Sequence, residues 1–108
     1  MNQSEAVIAF STIDSEEEAK KIACALVEAK LAACVNIVPK LTSIYQWKEK
    51  LCEEEEFLLI IKTSQARFEE LKTMFTELHP YEVPELIACP IIDGLPDYLD
   101  WVIKSAQQ

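Results

Sequence analysis

Two stretches of this 108-residue chain are apolar without alternation, Val7-Ile8-Ala9-Phe10 and Phe57-Leu58-Leu59-Ile60-Ile61. Successive side chains of a strand point to opposite faces, so a sheet with one wet face needs apolar residues only at every second position. Short unbroken runs belong instead to strands covered on both faces. The chain must therefore build a sheet and cover it twice. These runs are also far shorter than the roughly 20 apolar residues of a membrane-spanning helix, so they read as core of a soluble protein with no membrane partner.

The rest of the sequence places helices between strands. Ala6 to Thr12 reads as a buried strand, followed by Asp14 and Ser15 as N-cap candidates with Glu17 and Glu18 three residues on from each. Ala19, Ile22, Ala23, Leu26 and Val27 then share one helical face, and the helix is expected to end near Leu31 to Ala33. Cys34 to Trp47 is β-rich but interrupted by Pro39-Lys40, which predicts a long strand with a kink or bulge. After a polar turn at Lys48-Glu49, Lys50 to Thr63 returns as a second long strand, making a hairpin. Its glutamate run, Glu53 to Glu56, reads as a solvated strand end. Ser64 is the expected cap of a second helix with Phe68, Leu71, Met74, Phe75 and Leu78 on one face. Leu86 to Ile92 forms a fourth strand, and Leu95-Pro96-Asp97 opens a short terminal helix. The order β-α-β-β-α-β plus a helix is the ferredoxin-like, split βαβ arrangement of the α+β class, a single domain over residues 1–108.

That topology bears on assembly. Right-handed crossovers put both crossover helices on one face of the sheet, leaving the other open. The terminal helix is too short to cover it alone, and the hairpin arms exceed the roughly 5 to 6 residues of an average strand. A second copy of the chain is the economical cover, so a homo-oligomer is expected.

Composition removes several functions. A net charge of -9, from ten basic and nineteen acidic residues, provides no field for binding a phosphate backbone, which excludes nucleic acid as the principal partner. One glycine, Gly94, cannot supply a P-loop or a dinucleotide fingerprint. Cys24, Cys34, Cys52 and Cys89 show no C-x-x-C pairing and read as reduced, small hydrophobes. With no basic and apolar leader in the first residues, the expected compartment is the cytoplasm.

The densest chemistry lies in His79-Pro80-Tyr81-Glu82-Val83-Pro84-Glu85, which gathers the single histidine, a phenol and two carboxylates between two prolines. The prolines fix φ near -65° and push His79 and Val83 toward extended backbone, giving a stiff loop. A plain helix exit explains the same residues equally well.

Leu31-Ala32-Ala33-Cys34-Val35-Asn36, Ser43-Ile44-Tyr45-Gln46-Trp47, Lys62-Thr63, the His79 to Glu85 segment and Tyr98-Leu99-Asp100-Trp101 together resemble the CutA divalent-cation tolerance family, in order and over nearly the whole chain. The resemblance implies a homotrimer of ferredoxin-like subunits, similar in fold to the PII signalling proteins and linked to tolerance of copper and other divalent metals. Family members that have been assigned copper ligands carry cysteine where this chain has Ser11 and histidine where it has Leu78. Only His79 remains, so any copper(II) or other divalent cation is expected to bind weakly there. The family's usual glycine at the hairpin turn is Glu49 in this chain, which implies a strained turn or one built differently.

Tyr45, Lys62, His79, Tyr81 and Glu85 are the polar groups within those motifs and the candidates for a ligand pocket at a subunit boundary. Trp47 and Tyr45 are candidate interface anchors. Three readings follow: a non-enzymatic trimer binding a metal ion or small ligand between subunits, an enzyme using His79, Lys62 and Glu85, or a signalling or interaction scaffold without its own chemistry. With one histidine, no acyl-transfer triad can be picked out.

Overall fold

A computed structural model describes residues 5–108 of the chain. Its elements run β1 (Ala6–Ile13), α1 (Glu16–Glu28), β2 (Cys34–Trp47), β3 (Lys50–Ser64), α2 (Phe68–Leu78), β4 (Ile87–Pro90) and α3 (Pro96–Ser105), with a 3-10 turn over Gln65–Arg67. The four strands form one antiparallel sheet in the order β2-β3-β1-β4. β3 lies between β1 and β2, the split βαβ topology expected from the sequence.

Alternation along the paired strands assigns the two faces. Ala9, Ile13, Leu59 and Ile61 point beneath α1 and α2 and join Ile22, Leu26, Leu71 and Phe75 in the core. Their neighbours Ile8, Phe10, Leu58 and Ile60, opposed by Val38 of β2 and by Ile87 and Cys89 of β4, share the second face. α3 covers one end of that face, where Ala6 and Ser64 sit opposite each other and the Ser64 hydroxyl donates to the Ala106 carbonyl at 3.5 Å. The rest lies open: Ile87 is 57% exposed and Val38 40%. The unbroken apolar runs thus have one face sealed and one only partly covered within a single chain.

Two local details differ from the sequence expectations, each for a physical reason. α1 stops at Glu28 because Lys30 takes a left-handed backbone (φ 59°), and the Leu31 and Lys30 N–H groups turn back to the Leu26 and Val27 carbonyls at 2.9 and 3.0 Å. This is a Schellman stop without its usual glycine, so the apolar pattern overran it. The Arg67 guanidinium then donates to the Ala29 and Lys30 carbonyls, meeting the negative end of the helix dipole. Ser64 does not cap α2, since its hydroxyl goes to α3. Ser15 does cap α1, accepting from the Glu18 N–H at 3.1 Å.

The long hairpin contains the expected bulge. Val38 pairs with Leu58 and Leu41 with Glu56, so Pro39 and Lys40 oppose Phe57 alone. Lys40 adopts φ 63° there. The extra residue inverts the facing of β2: Val38 shares a face with Leu58, and beyond the bulge Leu41, Ser43, Tyr45 and Trp47 share that same face with Glu56, Glu54, Cys52 and Lys50. At the tip, Lys48 (φ 52°) and Glu49 (φ 67°) both hold left-handed backbone, as a type I′ turn requires. The turn is the strained alternative anticipated from Glu49. The arm makes the molecule elongated, 47 × 25 × 22 Å.

Candidate functional site

The rephased arm, the end of β1 and the loop between α2 and β4 enclose a cleft of about 590 Å³. Tyr45, Trp47 and Tyr81 give it aromatic walls. Asp14, Glu54, Glu56, Glu82 and Glu85 give it five carboxylates, and no lysine or arginine lines it. Glu56 is the central group. It is only 3% exposed, and its Oε2 accepts from the Tyr81 hydroxyl at 2.5 Å. Burial first, then that carboxylate, push the Tyr81 phenol well above its ordinary pKa of 10. Desolvation, with Glu54 beside it, raises Tyr45 to about 12. Both phenols are therefore neutral hydrogen-bonding groups at physiological pH.

His79 stands behind this cleft. It is 6% exposed, at the exit of α2, where the extended backbone imposed by Pro80 (φ -78°, ψ 133°) turns the chain away. Its Nδ1 accepts from the Tyr81 N–H at 3.2 Å, which leaves the proton on Nε2 to donate to the Thr12 carbonyl at 3.0 Å. Phe75 and Tyr81 pack on the ring with centroids 5.2 and 4.6 Å away. Both nitrogens are committed, so the imidazole has no lone pair to offer a metal. Nor do three or more His, Cys, Asp or Glu side chains converge to hold an ion among the described residues. The residues present do not fit the histidine-centred metal site expected from the sequence. The histidine instead fixes the loop that carries Tyr81.

Ser11, at the position where the resemblance placed a cysteine ligand, is fully buried on the helix-covered side of the sheet with no hydrogen-bond partner for its hydroxyl. Lys62 lies elsewhere again. It sits opposite Ile8 on the open face and donates to Asn36 Oδ1, four residues along β1 from the Thr12 hydroxyl that contacts Glu85 at 3.4 Å. That spacing is about 13 Å at the rise of a strand. His79, Lys62 and Glu85 are not gathered into one site, whereas Tyr45, Tyr81 and Glu85 are, joined by Trp47.

Sequence reasoning missed Asp14, Glu54, Glu56 and Glu82. The glutamate run looked like a solvated strand end, which describes Glu53 and Glu55. Its signal was parity: Glu54 and Glu56 share a face with Tyr45 once the bulge is counted.

Residues 7–105 match the family model for the CutA1 divalent ion tolerance protein. The chain belongs to the CutA1 divalent ion tolerance family. It is 53% identical over 98 residues to the divalent-cation tolerance protein CutA of Thermus thermophilus, covering 91% of this chain and 95% of that one. It is 50% identical over 94 residues to mouse protein CutA, covering 87% of this chain and 53% of the relative, so it spans about half the length of that longer protein. Among solved structures, the Thermus thermophilus protein superposes with a TM-score of 0.91 at 49% identity, over 94% of this chain and 99% of that one. The CutA of Xylella fastidiosa gives 0.93 at 36% identity, over 96% and 100%. An Archaeoglobus fulgidus CutA is named periplasmic and an Arabidopsis thaliana one chloroplastic, so membership in the CutA family does not carry the cytoplasmic expectation. No helix among the described residues is long and apolar enough to cross a membrane.

Proposed function

We propose that this CutA-family chain acts in divalent-cation tolerance as a homotrimer without catalysis of its own, collecting cationic ligands in the acidic cleft. The single observation that carries the reading is the lining of that cleft: five carboxylates and no basic side chain. Carboxylates suit hard divalent ions. Since no three of them converge among the described residues, such ions associate weakly, through water, and are screened by salt. The open apolar face, where Ile87 and Val38 meet solvent in one chain, supports an assembly in which further copies cover it, and the family resemblance makes that assembly a trimer. Four free thiols support a reducing compartment.

Calorimetric titration of Mn(II) and Cu(II) tests the site. Glu54→Gln is expected to weaken binding, and His79→Ala to leave it unchanged once the variant is shown to be folded. Loss of Cu(II) binding in folded His79→Ala, with Glu54→Gln unaffected, would return the site to the imidazole and sink the cleft.

A further inference from the structure

We infer that Lys62 of one copy enters the acidic cleft of the next, so that a second copy completes the site; this rests on the homotrimer read above. Lys62 is the lysine that stands among the apolar rows of the open face, in line with Cys34, Ile8 and Cys89. Its ammonium donates to the Asn36 amide oxygen, a neutral acceptor, and among the described residues no carboxylate lies within ion-pair distance of it. Such a group is stable while water reaches it. Once a second copy covers Ile87 and Val38, which share its face, the ammonium loses that water and keeps one neutral partner. Burial of this kind is costly unless a carboxylate replaces the water.

The covering copy carries that carboxylate on the same face. Along β3, Lys62, Ile60, Leu58, Glu56 and Glu54 all point to it, the lysine toward the end covered by α3 and the glutamates toward the arm. Lys62 and Glu56 are six residues apart, about 20 Å at the rise of a strand, so one chain does not join them. Two chains do when they meet head to tail. The arm end of one copy then comes to the Lys62 end of its neighbour, which supplies the carboxylate and takes the exposed rings of Tyr45 and Trp47 out of water in the same step. The reverse orientation sets glutamates against glutamates and is disfavoured. In a closed ring each copy gives one lysine and receives one. The contact gathers Lys62 with Tyr45, Tyr81 and Glu85, which a single chain keeps apart. It also leaves more carboxylates than ammonium groups in the cleft, so a divalent ion still meets net negative charge there.

The test has two arms, both on the purified protein. A carbodiimide, which joins carboxylates to amines in direct contact, is expected to link Lys62 to Glu54, Glu56, Glu82 or Glu85 in the covalent dimer and trimer bands and not in the monomer band, as mapped by peptide mass spectrometry. Sedimentation equilibrium of Lys62→Glu is expected to show association at least tenfold weaker, with native circular dichroism. Lys21→Glu, the same change of charge at an exposed position of α1, should alter association less than twofold. Lys62→Gln serves the same purpose if Lys62→Glu does not fold. A trimer whose Lys62 links only to carboxylates outside the cleft, or to none, would overturn the inference and leave the trimer standing. Equal weakening by the Lys62 and Lys21 changes, or no weakening by either, would do the same. Wild-type protein that sediments as a monomer would overturn both.

Discussion

Tyr81 and Glu56 make a buried phenol–carboxylate pair whose pH behaviour follows from its sign. The Tyr81 pKa is raised on folding, by burial first and then by Glu56, so its contribution to stability is complete below the unfolded value near pH 10 and is lost as pH rises beyond it. Tyr45, raised to about 12, acts in the same direction. Denaturation midpoints should fall above pH 10, less steeply in Tyr81→Phe. At neutral pH that variant should lose about 1 to 3 kcal/mol, because buried Glu56 is left without its donor. Ser11 offers the opposite case. Its buried hydroxyl has no partner, so Ser11→Ala should raise stability by about 1 kcal/mol in urea titration; a loss of that size would mean the hydroxyl is satisfied by water. His79 was readable from the sequence as notable but not as structural, because its role depends on the Thr12 carbonyl, 67 residues away in the chain.

Elements whose register follows local pattern were legible: both hairpin arms, the Ser15 cap and the proline-opened α3 lie where periodicity and capping place them. The end of α1, set by the left-handed backbone at Lys30, was not. Among the described residues the left-handed ones are Lys30, Lys40, Lys48 and Glu49, while Gly94 is not one of them. Without glycine at Lys30 the usual helix-stop signal is missing and the apolar pattern runs past Glu28, whereas the Pro39-Lys40 interruption and the polar Lys48-Glu49 turn are visible in the sequence. The strain is measurable. A left-handed non-glycine residue costs roughly 1 to 2 kcal/mol, partly offset by the chain entropy glycine adds to the unfolded state. Glu49→Gly and Lys30→Gly should each stabilise the protein by about 1 kcal/mol, read as a higher denaturant midpoint with an unchanged slope. A drop in stability for Glu49→Gly would show that the turn draws on contacts of the glutamate side chain.

At the scale of the molecule, an elongated subunit with an open apolar face and a net charge of -9 must hide the first while tolerating the second. Sedimentation equilibrium should return three times the 12.3 kDa subunit mass. Ile87→Asp, on a strand that is exposed within one chain, should reduce that to a single folded subunit with native circular dichroism. A trimer persisting in Ile87→Asp would move the interface elsewhere. The site was only half legible at this scale, because Tyr45 and Glu56 meet through a bulge whose effect on facing cannot be counted until the register is known. That bulge also gives the projecting arm a rule of parity. Beyond Lys40, adding or removing one residue on β2 would exchange Tyr45 and Trp47 for Ile44 and Gln46 against the glutamates, whereas a change of two would restore them. The arm can lengthen or shorten only in even steps without turning its cleft inside out.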